Sequence, residues 1–431
     1  MDIDSLYKIF VRHPVISTDT RKITQGSIFF ALKGPHFNAN SFAGDALEKG
    51  ASYCVIDEAA YQVSDKCILV DDVLQTLQAL ATHHRRQFHI PVIAIAGSNG
   101  KTTTKELISS VLSTTLNVWA TPGNLNNHIG LPLTLLQLTS KHQAAIIEMG
   151  ANHIGENALL CEIAEPNLGL VTNNGMDHLE GFGNIEGVAK SNSELYYYLL
   201  KNDGLAFVNA NDEWLMRMSA RLNKRLTYAA NTSSRNVQAD CEGYAALLQP
   251  EIKYTFERKN AGSHLSGDYN FDNIMTAIAI GKYMNLETDK ILEGIAAYKP
   301  ANNRSQWIQT GKNLIFLDAY NANPSSMEAA LRNFASMDST NKIVIMGDMF
   351  EMGAFAATEH QRMVELCESL DLKNVVLVGE EFVSTRPNGF NRFATTAEAA
   401  SFLASHIPDQ AVIFIKGSRG MKLETLLDCI P

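Results

Sequence analysis

The sequence predicts an α/β protein of three domains, and three observations carry that prediction. At 431 residues the chain exceeds what one hydrophobic core usually holds. From residue 92 onward, short β-branched runs alternate with helical patterns, and the runs end in polar residues or glycine. That alternation is the mark of parallel sheets with helices on their faces. It stops near Lys299-Pro300 and then starts again. The expected division is a small N-terminal α/β domain over residues 1–82, a central parallel-sheet domain over 83–299, and a smaller Rossmann-like domain over 300–431.

In chain order, the apolar segments at residues 27–32 (SIFFAL), 53–56 and 67–70 supply the strands of the first domain. Residues 83–91 (HHRRQFHIP) are polar, basic and closed by proline, so they read as a connector or as the solvated end of a helix. Residues 92–96 then form a strand that breaks into Gly97-Ser98-Asn99-Gly100-Lys101-Thr102. Leu107, Ile108, Val111 and Leu112 recur at helical spacing behind that loop. The runs AAIIEMG and LGLVTNN are further strands with polar ends. Residues 205–260 are less periodic, with several short β-like pieces, and read as the far side of the same domain, which the helix over 270–284 closes. In the last domain, strands at 314–317, 343–346, 375–378 and 412–415 run into Asp318, Gly347, Gly379 and Lys416. Ser325 and Glu328 have the spacing of a capping box, with Met327, Leu331 and Phe334 on one face of the helix behind them.

Composition excludes several classes. Hydrophobic residues at 45% and charged residues at 19% describe a globular chain rather than a disordered one. A net charge of −10 argues against nucleic acid as a partner, since a phosphate backbone attracts basic faces. The six cysteines are scattered without a CxxC, so neither a disulfide framework nor a zinc knuckle is indicated, and reduced thiols are expected. No secretory leader is visible, and no apolar run reaches the roughly 18–20 residues of a membrane span. The expected location is the cytoplasm.

The loop at residues 97–102 reads as a phosphate cradle, the alternative being a plain glycine-rich turn with an exposed lysine. Gly97 and Gly100 permit a tight turn whose N–H groups face anionic oxygens, at the positive end of the following helix. Ser98, Asn99 and Thr103 complete the lining, Lys101 supplies a mobile charge, and the Thr102 hydroxyl is a ligand for Mg²⁺. Ile95 occupies the place of the first glycine in the longer GxxxxGK[ST] form. A bound nucleoside triphosphate calls for a metal, and Glu148 at a strand end answers that demand, although such a residue is often a cap. His178 lies in a loop with two glycines, with Asp177 beside it as an alternative ligand. Lys190 has the spacing of an ordinary solvated helix lysine. Asn124, Asn126 and Asn127 form an amide-rich loop able to donate to phosphate, or a simple turn cluster. Asn270 and Asn273 share a helix face, from which Asn273 can read an adenine edge. Arg304 follows the connector into the last domain. Asp318 ends a strand, where an acid either accepts from ribose hydroxyls or caps a helix. Lys416 and Arg419 flank a glycine turn, as a carboxylate clamp or a basic surface turn. No Ser-His-Asp or Cys-His signature accompanies these residues.

Eight strings in one order, GSNGKTTTKE, GNLNNHIGLP, EMGANHIGE, HLEGFGNIEGVAK, GDYNFDNI, DAYNANPSSM, GDMFEMG and KGSRG, resemble the Mur ligases over nearly the whole chain. STDTRKITQGSIFFALKG resembles that family's uridine-nucleotide domain. The resemblance implies a P-loop-type ATPase as the central domain, with ATP and Mg²⁺ as cofactors. Lys101 and the loop amides, with Asn127, would hold phosphates, and Thr102 and Glu148 would bind one Mg²⁺. His178 and Lys190 would bind a second metal; this lysine is carbamylated in several members, and the family is not uniform in that respect. Asn273, Arg304 and Asp318 would hold the adenosine end. Ser17, Thr18, Asp19, Thr20 and Arg21 would meet a uridine diphosphate, and Asn321, Lys416 and Arg419 the peptide substrates. Tyr269 stands where relatives often have histidine, and His128 where they commonly carry Asp, Glu or Asn.

DAYNANPSSM and GNLNNHIG favour the dipeptide-adding branch. The implied reaction joins D-Ala-D-Ala to UDP-N-acetylmuramoyl-tripeptide in a monomer that uses no nucleic acid. The nearest rivals are the meso-diaminopimelate- or lysine-adding members and folylpolyglutamate synthetase. A regulatory GTPase would carry Asn-Lys-x-Asp, and neither Asn223-Lys224 nor Asn341-Lys342 fits.

Overall fold

The computed structural model describes residues 1–386 and 389–430. The first unit is a four-stranded parallel sheet in the order Ile16–Ser17, Ile28–Phe30, Tyr53–Ile56, Cys67–Leu69. The central unit is a nine-stranded sheet in which Val92–Ala96 lies between Leu168–Val171 and Ala144–Glu148. Val118–Ala120 closes one edge of that sheet. On the other side Leu205–Asn209, Arg225–Asn231 and Cys241–Leu247 continue it in parallel, and Lys253–Phe256 and Lys259–Gly262 finish it as antiparallel strands. The irregular stretch 205–260 is therefore the far side of the same sheet. The third unit has six strands, with Asn313–Asp318, Val412–Lys416, Lys342–Gly347 and Asn374–Val378 parallel in that order. Gln306–Thr310 pairs antiparallel at its edge.

Val92–Ala96 and Ala144–Glu148 are buried at every residue, as strands covered by helices on both faces should be. Their polar ends open on one side of the sheet, where ligands collect in such folds. The helices Lys101–Leu112 and Asp268–Tyr283 pack together behind the glycine loop, through Leu107, Ile108, Phe271 and Ile274.

Two local readings need correction. Of the two readings of residues 83–91 the helix end holds, since 83–85 are the last turn of the helix Val73–Arg85, but that end is not solvated at His84 and Arg85. His84 and Arg85 are buried in spite of their polarity because distant carbonyls partner them. His84 bonds the Tyr7 hydroxyl and the Leu138 carbonyl, each at 3.0 Å. Arg85 donates to the carbonyls of Ala164 and Glu165, each at 3.1 Å. The same helix sets Leu77 and Leu80 into one apolar core that runs from Leu6, Phe10 and Phe30 of the first unit to Val92, Ala94 and Leu131 of the second. The capping box of the helix Pro324–Ala335 is formed by Asn323 and Ser326, not by Ser325 and Glu328. Pro324 at the first helical position sets its dihedral early, so the helix begins before Ser325. Glu328 instead accepts from Arg332 and Arg362.

The six cysteines are free, and five of them are buried. Among the described residues no helix is long and apolar enough to cross a membrane.

Candidate active site

The glycine loop folds as its sequence requires. Gly97 and Gly100 have φ of +120° and +80°, where a side chain is strained. A Cβ at 97 would stand 2.2 Å from Thr172 Oγ1, and one at 100 would stand 2.8 Å from Asn273 Oδ1. Lys101 donates to the carbonyls of Gly97 and Ser98, which holds its ammonium across the loop mouth. Ser98 donates to buried Asp177 at 2.6 Å, so that carboxylate secures the loop.

A cavity of about 630 Å³ opens above the loop, between the central and third units. From the central unit it is lined by Ser98, Asn99, Gly100, Lys101, Thr102, Thr103, Asn127, Glu148, His178 and Asn273. The third unit contributes Arg304, Asp318, Asn321 and Lys416. These fourteen residues, all singled out from the sequence, thus line one cavity, although more than 300 positions separate the first from the last. Gly97 lies beneath them as the floor of the turn.

The Thr102 hydroxyl donates to Glu148 Oε1 at 3.2 Å, and Asn126 Nδ2 donates to the same oxygen at 2.9 Å. The other oxygen, Oε2, is buried without a hydrogen bond and faces the ammonium of Lys105 at 3.8 Å. Lys105 is 1% exposed and donates to the Thr121 carbonyl at 2.7 Å. A hydroxyl and one under-bonded carboxylate side by side suit Mg²⁺, which takes one or two protein oxygens and completes its shell with water and phosphate. Among the described residues no group of three His, Cys, Asp or Glu side chains forms an all-protein metal site.

The far wall is built by the third unit. Asp318 and Lys416 are direct neighbours on paired strands, and Lys416 Nζ donates to Asp318 Oδ2 at 2.5 Å and to the Asn321 carbonyl at 3.1 Å. Asp318 Oδ1 also accepts the Ser305 N–H at 3.0 Å. Arg304 lies 3.5 Å above the Tyr320 ring and Arg419 lies 5.0 Å from it, so one aromatic face holds two cations. Asp272 stands in the wall beside Asn273. Burial pushes its carboxyl up to about 6, although Arg235 at 3.0 Å opposes that rise. The two units touch at the site itself: Asn323 Nδ2 donates to Asn99 Oδ1 at 2.8 Å, and the Met176 N–H donates to Ser325 Oγ at 2.8 Å.

The remaining residues singled out from the sequence are placed as follows. Lys190 is exposed on the helix Ile185–Lys201 and does not line the cavity. Its neighbours Val188, Ala189, Ser191 and Asn192 are the ones that turn inward. His178 instead donates through Nδ1 to Glu351 of the third unit. Asn273 is committed locally, accepting from Thr104 and donating to Asn270, each at 3.0 Å. Asn127 Oδ1 accepts the Ile129 and Gly130 N–H groups at 3.1 and 2.8 Å, just ahead of the helix Gly130–Leu135. Lys416 is paired with Asp318 rather than free, and Arg419 stands behind the wall on Tyr320. Ser17, Thr18, Asp19, Thr20 and Arg21 form a separate turn on the first unit, outside the cavity. There Asp19, held down to about 2 by its bonds to Arg21, ties the turn together. Sequence reasoning missed Tyr320, Lys105, Asp272 and Glu351. All four lie in strings quoted from the sequence, GSNGKTTTKE, GDYNFDNI, DAYNANPSSM and GDMFEMG, but nothing in those strings marks them individually.

Known proteins agree with this architecture. The family model for the Mur ligase middle domain matches residues 95–281, and that for the Mur ligase glutamate ligase domain matches 303–419. The chain is 34% identical over 424 residues to the UDP-N-acetylmuramoyl-tripeptide--D-alanyl-D-alanine ligase of Escherichia coli (strain K12), covering 96% of this chain and 92% of the relative. It is 33% identical over 431 residues to the enzyme of the same name from Bacillus subtilis (strain 168), with the same coverage. MurF from Acinetobacter baumannii superposes with a TM-score of 0.85 at 30% identity, covering 96% of this chain and 92% of that one. MurF ligase from Thermotoga maritima in complex with ADP gives 0.86 at 24% identity, covering 98% and 97%, a likeness of fold. Two matched domain models and an alignment that runs nearly end to end, over a glycine-loop cavity closed by a third unit, lead to one conclusion: the chain belongs to the Mur ligase family.

Proposed function

We propose that the chain joins D-Ala-D-Ala to the terminal carboxylate of UDP-N-acetylmuramoyl-tripeptide, converting ATP to ADP and phosphate. The observation that carries this reading is the near full-length similarity to relatives of that named activity, combined with a phosphate loop that faces a second unit across one cavity.

A carboxylate resists amine attack because its charge repels the nucleophile and oxide is a poor leaving group. In the proposed reaction a carboxylate oxygen of the tripeptide attacks the γ-phosphorus of ATP and the bond to ADP breaks, giving an acyl phosphate. The amine of D-Ala-D-Ala then attacks the acyl carbon, phosphate leaves, and the amine proton is lost. No enzyme nucleophile is required, in keeping with the residues on the wall.

The loop from Gly97 to Thr103 and Lys101 bind and orient the phosphates. Thr102 and Glu148 would hold Mg²⁺, which when bound neutralises charge on the phosphate oxygens. Arg304 and Tyr320 offer a cationic and aromatic face to the adenosine end, and Asp318 holds that wall together through Lys416. The third unit covers the loop and excludes water, which would hydrolyse an acyl phosphate. The turn Ser17 to Arg21 is the expected contact for the uridine diphosphate, at the far end of a chain divided as 1–82, 83–299 and 300–431. The enzyme acts in the cytoplasm as a monomer.

Phosphate release is the direct test, measured with UDP-tripeptides carrying lysine or meso-diaminopimelate and with D-Ala-D-Ala against single amino acids. Release that requires the dipeptide, together with hydroxamate formation in hydroxylamine, is expected. Equal release with a single amino acid, or activity unchanged in Lys101→Ala, would overturn the reading.

A further inference from the structure

The loop after the strand Lys342–Gly347 reaches from the third unit back over the central one, and it is fixed at several points. Asp348 accepts the N–H groups of Glu381 and Phe382, each at 3.1 Å. The Met349 N–H donates to Nε2 of the fully buried His360 at 2.9 Å, and the Phe350 N–H donates to Ser418 Oγ at 2.9 Å. The next residue, Glu351, has φ of 62°, a left-handed conformation that a non-glycine residue holds only when its surroundings impose it. Its carbonyl accepts the Glu180 N–H at 3.3 Å.

Opposite stands His178, also left-handed at φ 45°, with its carbonyl accepting the N–H groups of Gly181 and Phe182 at 2.9 and 3.0 Å. The imidazole Nδ1 donates to Glu351 Oε2 across the interface. Two strained residues, each locked by its own unit, are thus aimed at one another. The Glu351 side chain is 56% exposed, so this contact adds little to stability. What it does fix is the ring of a histidine that lines the cavity.

We propose that Glu351 is a positioning residue through which seating of the third unit orients His178: its carboxylate accepts the hydrogen bond from Nδ1–H and leaves Nε2 as the ring's free nitrogen. The site then reaches its working arrangement only when the third unit is docked, because no residue of the central unit supplies this carboxylate. A carboxylate or carbonyl on the second ring nitrogen is the usual device for setting a histidine's tautomer. The inference rests on reading the cavity as the ligase site.

The test uses the full chain, ¹⁵N-labelled at histidine, with ADP as the probe and His178 assigned from H178Q. The neutral ring should carry its proton on Nδ1 in the wild type and in E351Q, whose amide oxygen still accepts. In E351A it should shift to the Nε2–H form. In turnover, E351A should lose about 10- to 100-fold in kcat, the usual cost of removing such a partner. Its KM for ATP should stay within about threefold, E351Q should recover most of the loss, and H178A/E351A should be no slower than H178A. An unchanged tautomer in E351A, or losses that multiply in the double variant, would overturn the proposal. Should the wild type fail to ligate, the ligase reading falls instead, and the tautomer comparison still decides the role of Glu351. Should E351A fail to fold, E351S, whose side chain is too short to reach the ring, takes its place with the same expected shift to the Nε2–H form.

Discussion

The Asp318–Lys416 pair offers the sharpest energetic test of the third unit's wall. The Lys416 side chain is 3% exposed and that of Asp318 is 17% exposed, with 2.5 Å between charges. At an effective dielectric of about 20, the attraction is about 6–7 kcal/mol before desolvation is subtracted. Removing one partner of such a pair leaves an uncompensated buried charge and typically costs about 3–5 kcal/mol. Asp318→Asn keeps the Ser305 contact and an oxygen for Lys416 Nζ, which returns about 1 kcal/mol. The expected loss is therefore about 2–4 kcal/mol. Lys416→Met should lose somewhat less, because the stranded carboxylate is the more exposed partner. The double variant D318N/K416M should recover much of this, since replacing a whole buried pair by neutral groups is often nearly neutral. A coupling of about 2–3 kcal/mol is expected. Urea unfolding of the full chain reads it through Trp307, in a background with Trp119 and Trp214 changed to Phe. Trp307 reports on this sheet because it pairs with Phe316, two residues from Asp318, with ring centroids 4.9 Å apart. Additive losses, within about 0.5 kcal/mol, would refute the reasoning.

Three further outcomes follow from the same geometry. Gly97→Ala should abolish nucleotide binding and lower stability by more than about 1 kcal/mol, because the added methyl meets Thr172 and the φ of +120° is costly; calorimetric titration with ADP checks it. Asp272→Asn should be indistinguishable from the wild type below about pH 4, where the acid is neutral in both folded and unfolded chains. As pH rises through about 6, the wild type loses stability that the variant keeps, so a gap of about 2–3 kcal/mol should open by pH 7.5; melting curves that stay parallel across that window would contradict it. Tyr320→Leu should weaken ADP binding about 5- to 30-fold while leaving the fold intact, since it removes the face on which Arg304 and Arg419 rest; fluorescence titration measures this.

The parts legible in the sequence were those whose physics is local. The glycine loop could be read because turn geometry, helix start and backbone donors are all encoded within seven residues. The parallel sheets could be read because alternation along the chain reports burial on both faces. Pairings across long separations left no such trace. His84 and Arg85 look solvated until carbonyls about 54 to 80 positions away are brought to them. Lys190 looked like a surface lysine by spacing, and the fold keeps it one. The helix start at Asn323 was missed by two residues because Pro324 outweighed the serine pattern. Glu351 carried no signal at all, since nothing in GDMFEMG says that its carboxylate ends at a histidine of another unit.

The core that passes unbroken from Leu6 to Leu131 has a mechanical consequence. With no seam to flex between them, the first two sheets must tilt as a single lever. The third sheet is wrapped in cores almost wholly its own and touches its neighbour mainly through amides, hydroxyls and one histidine–carboxylate contact. Any hinge in this enzyme therefore belongs near residue 300, next to Arg304 and Ser305 of the cavity wall.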